Sequence, residues 1–209
     1  MRPTPSEPDK GRGGIPVHAV VLAAGQSRRM GGVNKLLAHL EARPLVRHVV
    51  EAAQSSRVTG ITVVSGHEAE AVIRALDGLE VDYCYNPEFA GGMSSSLRCG
   101  IEAVPPECEG VIILLGDMPR ITGAMINRML EEFERAPRGA IILASDCGRR
   151  GNPVLWPAVY FDALKQVSGD VGGRHLIDQN VEKVIEVELG DAARLDIDTP
   201  EILGDFKLR

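Results

Sequence analysis

The segment from Leu22 to Lys35 places two small residues, a glycine, two arginines and a lysine directly after an apolar run. Its sequence is LAAGQSRRMGGVNK. Gly25 lets the backbone approach a ligand closely, and the backbone N–H groups of such a turn form an anion-binding concavity. The guanidinium of Arg29 can make a bidentate phosphate contact, and Lys35 adds a point charge. The segment therefore favours phosphate binding over a glycine-rich connection with solvated basic residues.

The spacing within this segment excludes two common nucleotide loops. Counted from Gly25, the second glycine of a Walker A loop would fall at Met30, and neither Ser nor Thr follows Lys35. The segment also lacks the G-x-G-x-x-G pattern, which argues against a dinucleotide site.

An aspartate follows the most hydrophobic run of the chain, Val111–Leu115. The sequence continues as Gly116, Asp117, Met118 and Pro119. Protein-bound Mg²⁺ commonly takes one or two carboxylates together with the phosphates of a substrate. Asp117 is therefore a candidate metal ligand, with a turn or helix-capping role as the alternative.

A glycine pair followed by serines opens a predicted helix. Gly92, Met93, Ser94 and Ser95 offer closely spaced N–H and hydroxyl donors at the positive end of that helix. The alternative is a long loop with an ordinary serine cap.

Two acids near the C-terminal end, Asp196 and Asp198, lie in the sequence DIDTP on one face of a short extended piece. Asp198 is a candidate second metal ligand. Taken alone, the pattern favours a cap for a helix that begins at Pro200.

Alternating strands and helices must position these segments. Strands are predicted over 17–23, 61–65, 81–85, 111–115 and 140–145, with helices over 44–55, 67–77, 94–104 and 122–135. A short strand or hairpin arm (152–156), two helices (157–166 and 171–180) and a last strand (184–187) follow a polar turn over 147–151. This pattern predicts a single three-layer α/β domain, Rossmann-like, with a mostly parallel central sheet. Ligands of such sheets bind beyond the carboxyl ends of the strands.

Composition narrows the class of protein. The 209 residues carry a net charge of −6, which argues against a nucleic-acid or anionic-membrane surface. No apolar run approaches the roughly 20 residues of a membrane span. Residues 1–16 are rich in Pro, Gly and charge and are interpreted as a disordered leader, which leaves 17–209 as the folded domain. The four cysteines show no C-x-x-C spacing, so reduced thiols and a cytoplasmic location are expected.

Six segments together resemble a known family. LAAGQSRRMGGVNKLL, NPEFAGGMSSSLRCG, LLGDMP, GRRGNPVL, GDVGGRHLI and DIDTPEIL are similar to the molybdenum cofactor cytidylyltransferases. These enzymes and the related guanylyltransferases are nucleotidyltransferases of glycosyltransferase-A-like fold. The resemblance runs from about Val17 to Phe206, and it implies transfer of CMP from CTP to molybdenum-loaded molybdopterin with release of pyrophosphate.

The resemblance also implies roles for the candidate residues. Arg29, Lys35 and Asp117 would be catalytic, and Asp117 and Asp198 would hold Mg²⁺, with Mn²⁺ as the alternative. The nucleotide would contact Leu22, Ala23, Ala24, Gly25, Arg29, Lys35, Gly92, Met93, Ser94 and Ser95. The attacking phosphate is ionised at pH 7, so no general base is needed.

The second substrate requires a cationic site of its own. Arg150, Asn152 and Arg174 are the candidates for binding the pterin, with a solvated turn and a helix-surface arginine as the alternative. An acceptor molybdoenzyme of the hydroxylase type is the expected protein partner.

Two further functions remain open at this point. An oxidoreductase on the same scaffold is disfavoured by the missing G-x-G-x-x-G pattern. A chaperone that delivers molybdenum cofactor is disfavoured by the combination of Asp117 with Arg29 and Lys35, although delivery is compatible with catalysis.

Overall fold

A computed structural model of the chain describes residues 14–27, 34–169, 172–197, 199 and 202. Arg29, Asp198 and residues 1–13 of the predicted leader lie outside the described residues. The predicted fold class is confirmed, because one α/β domain is built on a mostly parallel sheet of seven strands.

The strands and helices follow the predicted order. The strands are β1 (Val17–Ala23), β2 (His39–Leu40), β3 (Arg43–Pro44), β4 (Ile61–Ser65), β5 (Asp82–Tyr85), β6 (Gly110–Leu115), β7 (Ile141–Asp146), β8 (Arg149–Pro157) and β9 (Val184–Glu188). The helices are α1 (Leu45–Gln54), α2 (Ala69–Ala75), α3 (Met93–Glu102), α4 (Gly123–Arg135), α5 (Phe161–Lys165) and α6 (Arg174–Gln179). The sequence pattern did not predict the short hairpin of β2 and β3, which forms a separate two-stranded sheet.

The central sheet has the order β5-β4-β1-β6-β8-β7-β9. All neighbouring pairs are parallel except β6 with β8 and β7 with β8. Strand β8 is therefore reversed and lies between two strands of the opposite direction. Its first residues consequently share an edge with the carboxyl ends of the other six strands.

Helices cover the sheet on both faces, as the alternation of apolar runs and amphipathic stretches requires. One core contains Val49 of α1, Val72 of α2 and Ile126 of α4. The other contains Leu97 of α3 and Leu164 of α5. The apolar residues of β1 point alternately into the two cores, so this strand has no solvent-facing side and its sequence is apolar except for His18.

The polar turn predicted over 147–151 is shorter in the structure, a two-residue hairpin connection, because residues 149–151 already belong to β8. Cys147 and Gly148 both have positive φ, +49° and +75°. Such turns match the twist of the flanking strands and favour glycine, because L side chains are strained at positive φ. The turn starts the reversed strand β8 at the ligand-binding edge.

The prediction of four reduced thiols is wrong for two of them. Cys84 of β5 and Cys99 of α3 form a disulfide across 15 residues of sequence. Helix α3 packs beside the edge strand β5, a proximity that cysteine spacing alone does not reveal. Cys108 and Cys147 are free thiols. The cytoplasmic location was inferred from reduced cysteines, so the disulfide removes that support and the location remains a prediction.

Among the described residues, no helix combines the length and the apolar character needed to cross a membrane.

A buried histidine makes the stability of this fold depend on pH. His18 of β1 is 3% exposed and its Nε2 lies 2.8 Å from Oγ1 of Thr62. Burial lowers the pKa of His18, while the charges of Asp82 and Glu107 act in the opposite direction. The folded protein therefore takes up this proton at lower pH than the unfolded chain, whose histidine has a pKa of about 6.5.

We expect the free energy of unfolding to fall as the pH drops below about 6.5, because protons then bind preferentially to the unfolded chain. His18→Gln, which keeps a polar atom near the position of Nε2, should flatten this dependence between about pH 7 and pH 5 in urea titrations. The control is His39→Gln, since the His39 side chain is exposed. An unchanged pH dependence in the His18 variant would contradict the assignment.

Candidate functional site

The carboxyl ends of neighbouring strands are tied together by backbone hydrogen bonds beyond the ladders. The N–H of Gly116 donates to the carbonyl of Leu22 over 3.1 Å, which joins the end of β6 to that of β1. The N–H of His67 donates to the carbonyl of Ala24 over 3.2 Å, which joins β4 to β1. These bonds fix the segments that the sequence singled out as ligand-binding.

A pocket of about 570 Å³ opens at this edge. It is lined by residues that follow β1, β5 and β6, together with the start of α3 and one residue that precedes α6. These are Leu22, Ala24, Gly25, Gln26, Lys35, Leu36, Phe89, Ala90, Gly91, Gly92, Met93, Ser96, Leu115, Asp117 and Gly169. The volume falls in the range of small-molecule sites.

Lys35 and Asp117, two of the predicted catalytic residues, are in direct contact at one end of the pocket. The Lys35 ammonium forms an ion pair with Oδ2 of Asp117. Their side chains are only 16% and 13% exposed. A cation and a carboxylate that both face a pocket can contact the two kinds of charge present in a metal-bound phosphate ester.

The backbone near Lys35 is fixed by two polar side chains. Oδ1 of Asn34 accepts from the N–H of Leu36 over 3.1 Å and caps the short 3₁₀ helix over Lys35–Leu37. The N–H of Lys35 donates to Oγ of Ser27 over 3.0 Å. Ser27 and Asn34 thereby hold the two ends of the segment that contains Arg29, whose own position is not described.

Asp117 provides a carboxylate suited to a divalent cation. Its Oδ1 is buried and accepts no hydrogen bond from the described residues. A buried carboxylate oxygen without a donor is costly, whereas oxygen atoms are the ligands that Mg²⁺ and Mn²⁺ accept. The residues at this end of the pocket therefore fit a divalent metal.

A segment beyond β9 returns to Asp117 across the ends of β7 and β8. The N–H of Ile197 donates to the backbone carbonyl of Asp117 over 3.1 Å. Asp198, the predicted second metal ligand, is the next residue, and its position is not described. The bond of Ile197 places the chain at Asp117 immediately before that residue.

The same segment packs closely on β8. Its 3₁₀ helix over Gly190–Ala193 passes so near Gly151 that an added Cβ there would lie 2.1 Å from the carbonyl oxygen of Ala193. An ion pair between Arg120 and Asp191 links the helix to the loop after β6. Glycine at 151 is thus required by the approach of a neighbouring backbone.

The hydroxyl groups of the first two serines of α3 are hydrogen-bonded to backbone carbonyls of the protein. The hydroxyl of Ser94 donates to the carbonyl of Gly169. The Oγ of Ser95 lies 2.9 Å from the carbonyl oxygens of both Glu88 and Gly92, between which its one proton is shared. Of the four predicted residues here, Gly92 and Met93 line the pocket. Ser94 and Ser95 fix the loop that contains them.

Asn86 is a site residue that the sequence reasoning missed. It is 2% exposed, and its Nδ2 donates to the hydroxyls of Ser95 (2.9 Å) and Ser96 (3.0 Å). Its Oδ1 accepts from the N–H of Glu88 over 2.9 Å. Asn86 therefore holds both ends of the glycine-rich loop, and the Asn-Pro that opens this loop was its only sequence signal.

The other end of the pocket is apolar. A Cβ added to Gly66 would lie 2.6 Å from Cβ of Phe89 and 2.8 Å from Cβ of Ala24. Both side chains line the pocket, and the Phe89 ring lies 6.0 Å from that of His67. Ala24 is only 2% exposed, so its methyl group fixes where Phe89 lies more than it offers surface of its own.

None of the three predicted pterin residues lines this pocket. Arg150 donates from Nη1 to Oδ1 of Asp178 in α6 over 2.8 Å, and the pair is exposed. Asn152 is half-buried two residues before Val154, which pairs with Ile113 of β6. Arg174 is exposed at the first position of α6.

A second group of potential metal ligands, Asp146, Cys147 and Glu188, lies at the turn between β7 and β8. The Glu188 oxygens already accept from the N–H groups of Cys147 and Gly190, each over 2.9 Å. Glu188 therefore closes the hairpin turn onto the end of β9, and this group is interpreted as structural.

Comparison with known proteins gives the fold and the site a family context. The sequence matches the MobA-like NTP transferase domain over residues 19–184. The chain belongs to this family. The matched range contains the pocket, Lys35 and Asp117, and it ends before the segment with Asp198.

Proteins that are similar to this chain include one curated relative and two solved structures. Bifunctional protein GlmU of Sorangium cellulosum is 31% identical over 165 residues, which cover 76% of this chain and 33% of that protein. The chain thus spans about a third of this curated relative. The crystal structure of Rv0371c from Mycobacterium tuberculosis H37Rv superimposes with a TM-score of 0.79 at 25% identity, over 93% of this chain and 99% of the other. A homologue from Mycobacterium sp. strain JC1 gives 0.79 at 27%, over 92% and 98%.

A steric test can show whether the crossing segment supports the site of this NTP transferase domain. Gly151→Ala places a methyl group against the backbone of Ala193, so we expect a loss of about 1–3 kcal/mol in the free energy of unfolding. Displacement of the segment should also weaken nucleoside triphosphate binding in calorimetric titrations with Mg²⁺.

The control is Gly100→Ala. Its added Cβ would meet Cγ1 of Val20 at 2.4 Å, in the core between α3 and the sheet. We expect a similar loss of stability with unchanged affinity at a temperature where both variants are folded. Equal affinities of both variants and the wild-type protein would show that the segment is not part of the site.

Proposed function

We propose that this protein transfers CMP from CTP to molybdenum-loaded molybdopterin and releases pyrophosphate. The observation that carries the proposal is the Lys35–Asp117 ion pair at one end of a pocket whose other end is apolar. A nucleoside triphosphate has the same division, with its charged phosphates at one end and its base at the other. Family membership supports nucleotidyl transfer, and the six sequence segments support the cytidylyl reaction and the pterin acceptor.

In the proposed reaction, a terminal phosphate oxygen of the pterin attacks the α-phosphorus of CTP. The new P–O bond forms as the bond to the β-phosphate breaks, so the electron pair leaves with pyrophosphate. This transfer needs positioning and charge stabilisation rather than a covalent contribution from the protein. No general base is required, because the attacking phosphate is already ionised.

The chain's own residues supply most of what this transfer needs. Lys35 faces the pocket and would neutralise phosphate charge that grows on the leaving group, and Arg29 is proposed to act with it. Asp117, with Asp198 as the proposed second ligand, would hold Mg²⁺ or Mn²⁺. When bound, the metal supplies positive charge that stabilises the phosphate oxygens.

Removal of the Asp117 charge tests the metal role. Asp117→Asn should lower kcat by at least about a hundredfold, since metal-held charge stabilisation is worth several kcal/mol. The fold should survive because the residue lies beyond the end of β6. The control is Asp162→Asn, whose side chain on α5 is 98% exposed. Near-full activity of the Asp117 variant with Mg²⁺ would show that the carboxylate holds no catalytic metal.

The acceptor and the base are tested in one assay. Pyrophosphate release is measured with CTP and GTP, each with and without molybdenum-loaded molybdopterin, and the dinucleotide product is identified by mass. We expect kcat/KM for CTP to exceed that for GTP by at least about tenfold, because the proposed base end discriminates by the size of the base, and such a difference in shape is worth about 1–3 kcal/mol. Equal or better use of GTP would overturn the cytidylyl assignment. Pyrophosphate release with both nucleotides, without formation of a pterin dinucleotide, would overturn the assignment of molybdopterin as the acceptor.

The apolar end of the pocket is proposed to set part of this selectivity. Ala24→Gly should relax the preference for CTP only partly, by up to about tenfold, near the lower end of the roughly 1–3 kcal/mol that one methyl group contributes. Ala24 and Phe89 both pack over Gly66, so loss of the methyl group lets Phe89 shift and widens the space for a purine. The control is Ala158→Gly, an exposed position remote from the pocket.

A further inference from the structure

We propose that the ammonium of Lys35 occupies the metal-binding carboxylate of Asp117 until a nucleoside triphosphate binds. Nucleoside triphosphate and divalent metal would then bind this pocket cooperatively. The inference rests on the proposed function in two respects, namely that Asp117 holds the metal and that Lys35 contacts the phosphates of the nucleotide. It assigns the ammonium of Lys35 two successive partners, first the carboxylate of Asp117 and then the phosphates of the nucleotide.

The ion pair has the properties that such an exchange requires. The Lys35 ammonium contacts Oδ2 of Asp117, and the two side chains are 16% and 13% exposed. Charges that are shielded from water attract and repel more strongly than charges on an open surface. An ammonium on Oδ2 therefore opposes the approach of a divalent cation to the same carboxylate, both by its charge and by its volume.

The exchange needs no movement of the backbone. The N–H of Lys35 is bound to Oγ of Ser27 over 3.0 Å. The backbone of Asp117 is held by the N–H of Ile197 at its carbonyl over 3.1 Å, and the preceding Gly116 is bonded to Leu22 over 3.1 Å. Rotation of the four-carbon lysine stem is then sufficient to move the ammonium within the pocket that both side chains line.

Nucleotide binding supplies the driving force for the rotation. A triphosphate carries several negative charges, whereas Asp117 carries one, so the bound nucleotide draws the ammonium from the carboxylate. Asp117 is then available to the metal that neutralises the same phosphates. By linkage, each ligand raises the affinity of the other by the same factor, and such factors are typically about 5- to 150-fold.

Metal binding in the absence of nucleotide tests the proposal without any measurement of activity. The probe is Mn²⁺ alone, and free Mn²⁺ is followed by electron paramagnetic resonance. Lys35→Met removes the competing cation, so we expect it to bind Mn²⁺ at least about fivefold more tightly than the wild-type protein. Lys35→Arg keeps a cation and should bind Mn²⁺ as weakly as the wild-type protein does.

Three further variants make the result decisive. Lys165→Met removes a lysine from a surface pair with Asp162 and should leave Mn²⁺ affinity unchanged. Addition of Asp117→Asn to Lys35→Met should abolish the gain, which assigns the bound metal to this carboxylate. Lys35→Gln keeps a hydrogen-bond donor without the charge and should show the same gain, and it replaces the Met variant if that protein does not fold.

Folded Lys35→Met and Lys35→Gln proteins that bind Mn²⁺ no more tightly than the wild-type protein would overturn the proposal. So would a gain that survives Asp117→Asn. The proposed function fails separately: tighter Mn²⁺ binding without CMP transfer to the pterin would contradict the acceptor assignment and leave the exchange intact. Transfer to the pterin without a gain in Mn²⁺ affinity would contradict only the exchange.

Discussion

Strand β1 is the constraint on which the rest of the structure depends. It pairs with β4 on one side and β6 on the other, and its side chains enter both cores. Its residues are therefore almost all apolar, and the one polar residue, His18, is hydrogen-bonded to Thr62. Where the strand ends, the carbonyls of Leu22 and Ala24 accept hydrogen bonds from the N–H groups of Gly116 and His67. The residues that follow, Gly25 and Gln26, line the pocket.

The order of the strands explains why one end of the pocket is charged and the other is apolar. Asp117 follows β6 on one side of β1, whereas Gly66 and Phe89 follow β4 and β5 on the other side. Charge is thereby concentrated at the β6 side and apolar surface at the β4 and β5 side. In the proposed function, the phosphates of the nucleotide lie at the β6 side and its base at the β4 and β5 side, in the order that the strands set.

The sequence predicted the fold and the charged end of the site because both depend on local patterns. Apart from the β2–β3 hairpin, apolar periodicity locates the strands and α-helices between residues 17 and 146 to within two residues. Residue type and position after a buried strand identify Lys35 and Asp117, which the structure brings into contact. These signals lie in contiguous stretches of chain.

What the sequence did not predict depends on contacts between distant segments. The hydroxyls of Ser94 and Ser95 looked available to a ligand, but Gly169 and Glu88 occupy them. Asn86 and Gly66 carry no chemistry of their own and matter only through what packs around them. The Cys84–Cys99 disulfide likewise depends on the packing of α3 beside β5.

The position of β8 between β6 and β7 has a consequence for the order of folding. With strands about 4.8 Å apart, β7 cannot pair with β6 and finds its inner neighbour only in β8, which follows it through a two-residue turn. The hairpin closes a short loop at little entropic cost, whereas pairing of β8 with β6 joins segments about 40 residues apart. We therefore expect the two strands to enter the sheet as a unit. Until they do, the 190–193 helix has no surface on which to pack, and the ligand-binding edge remains incomplete.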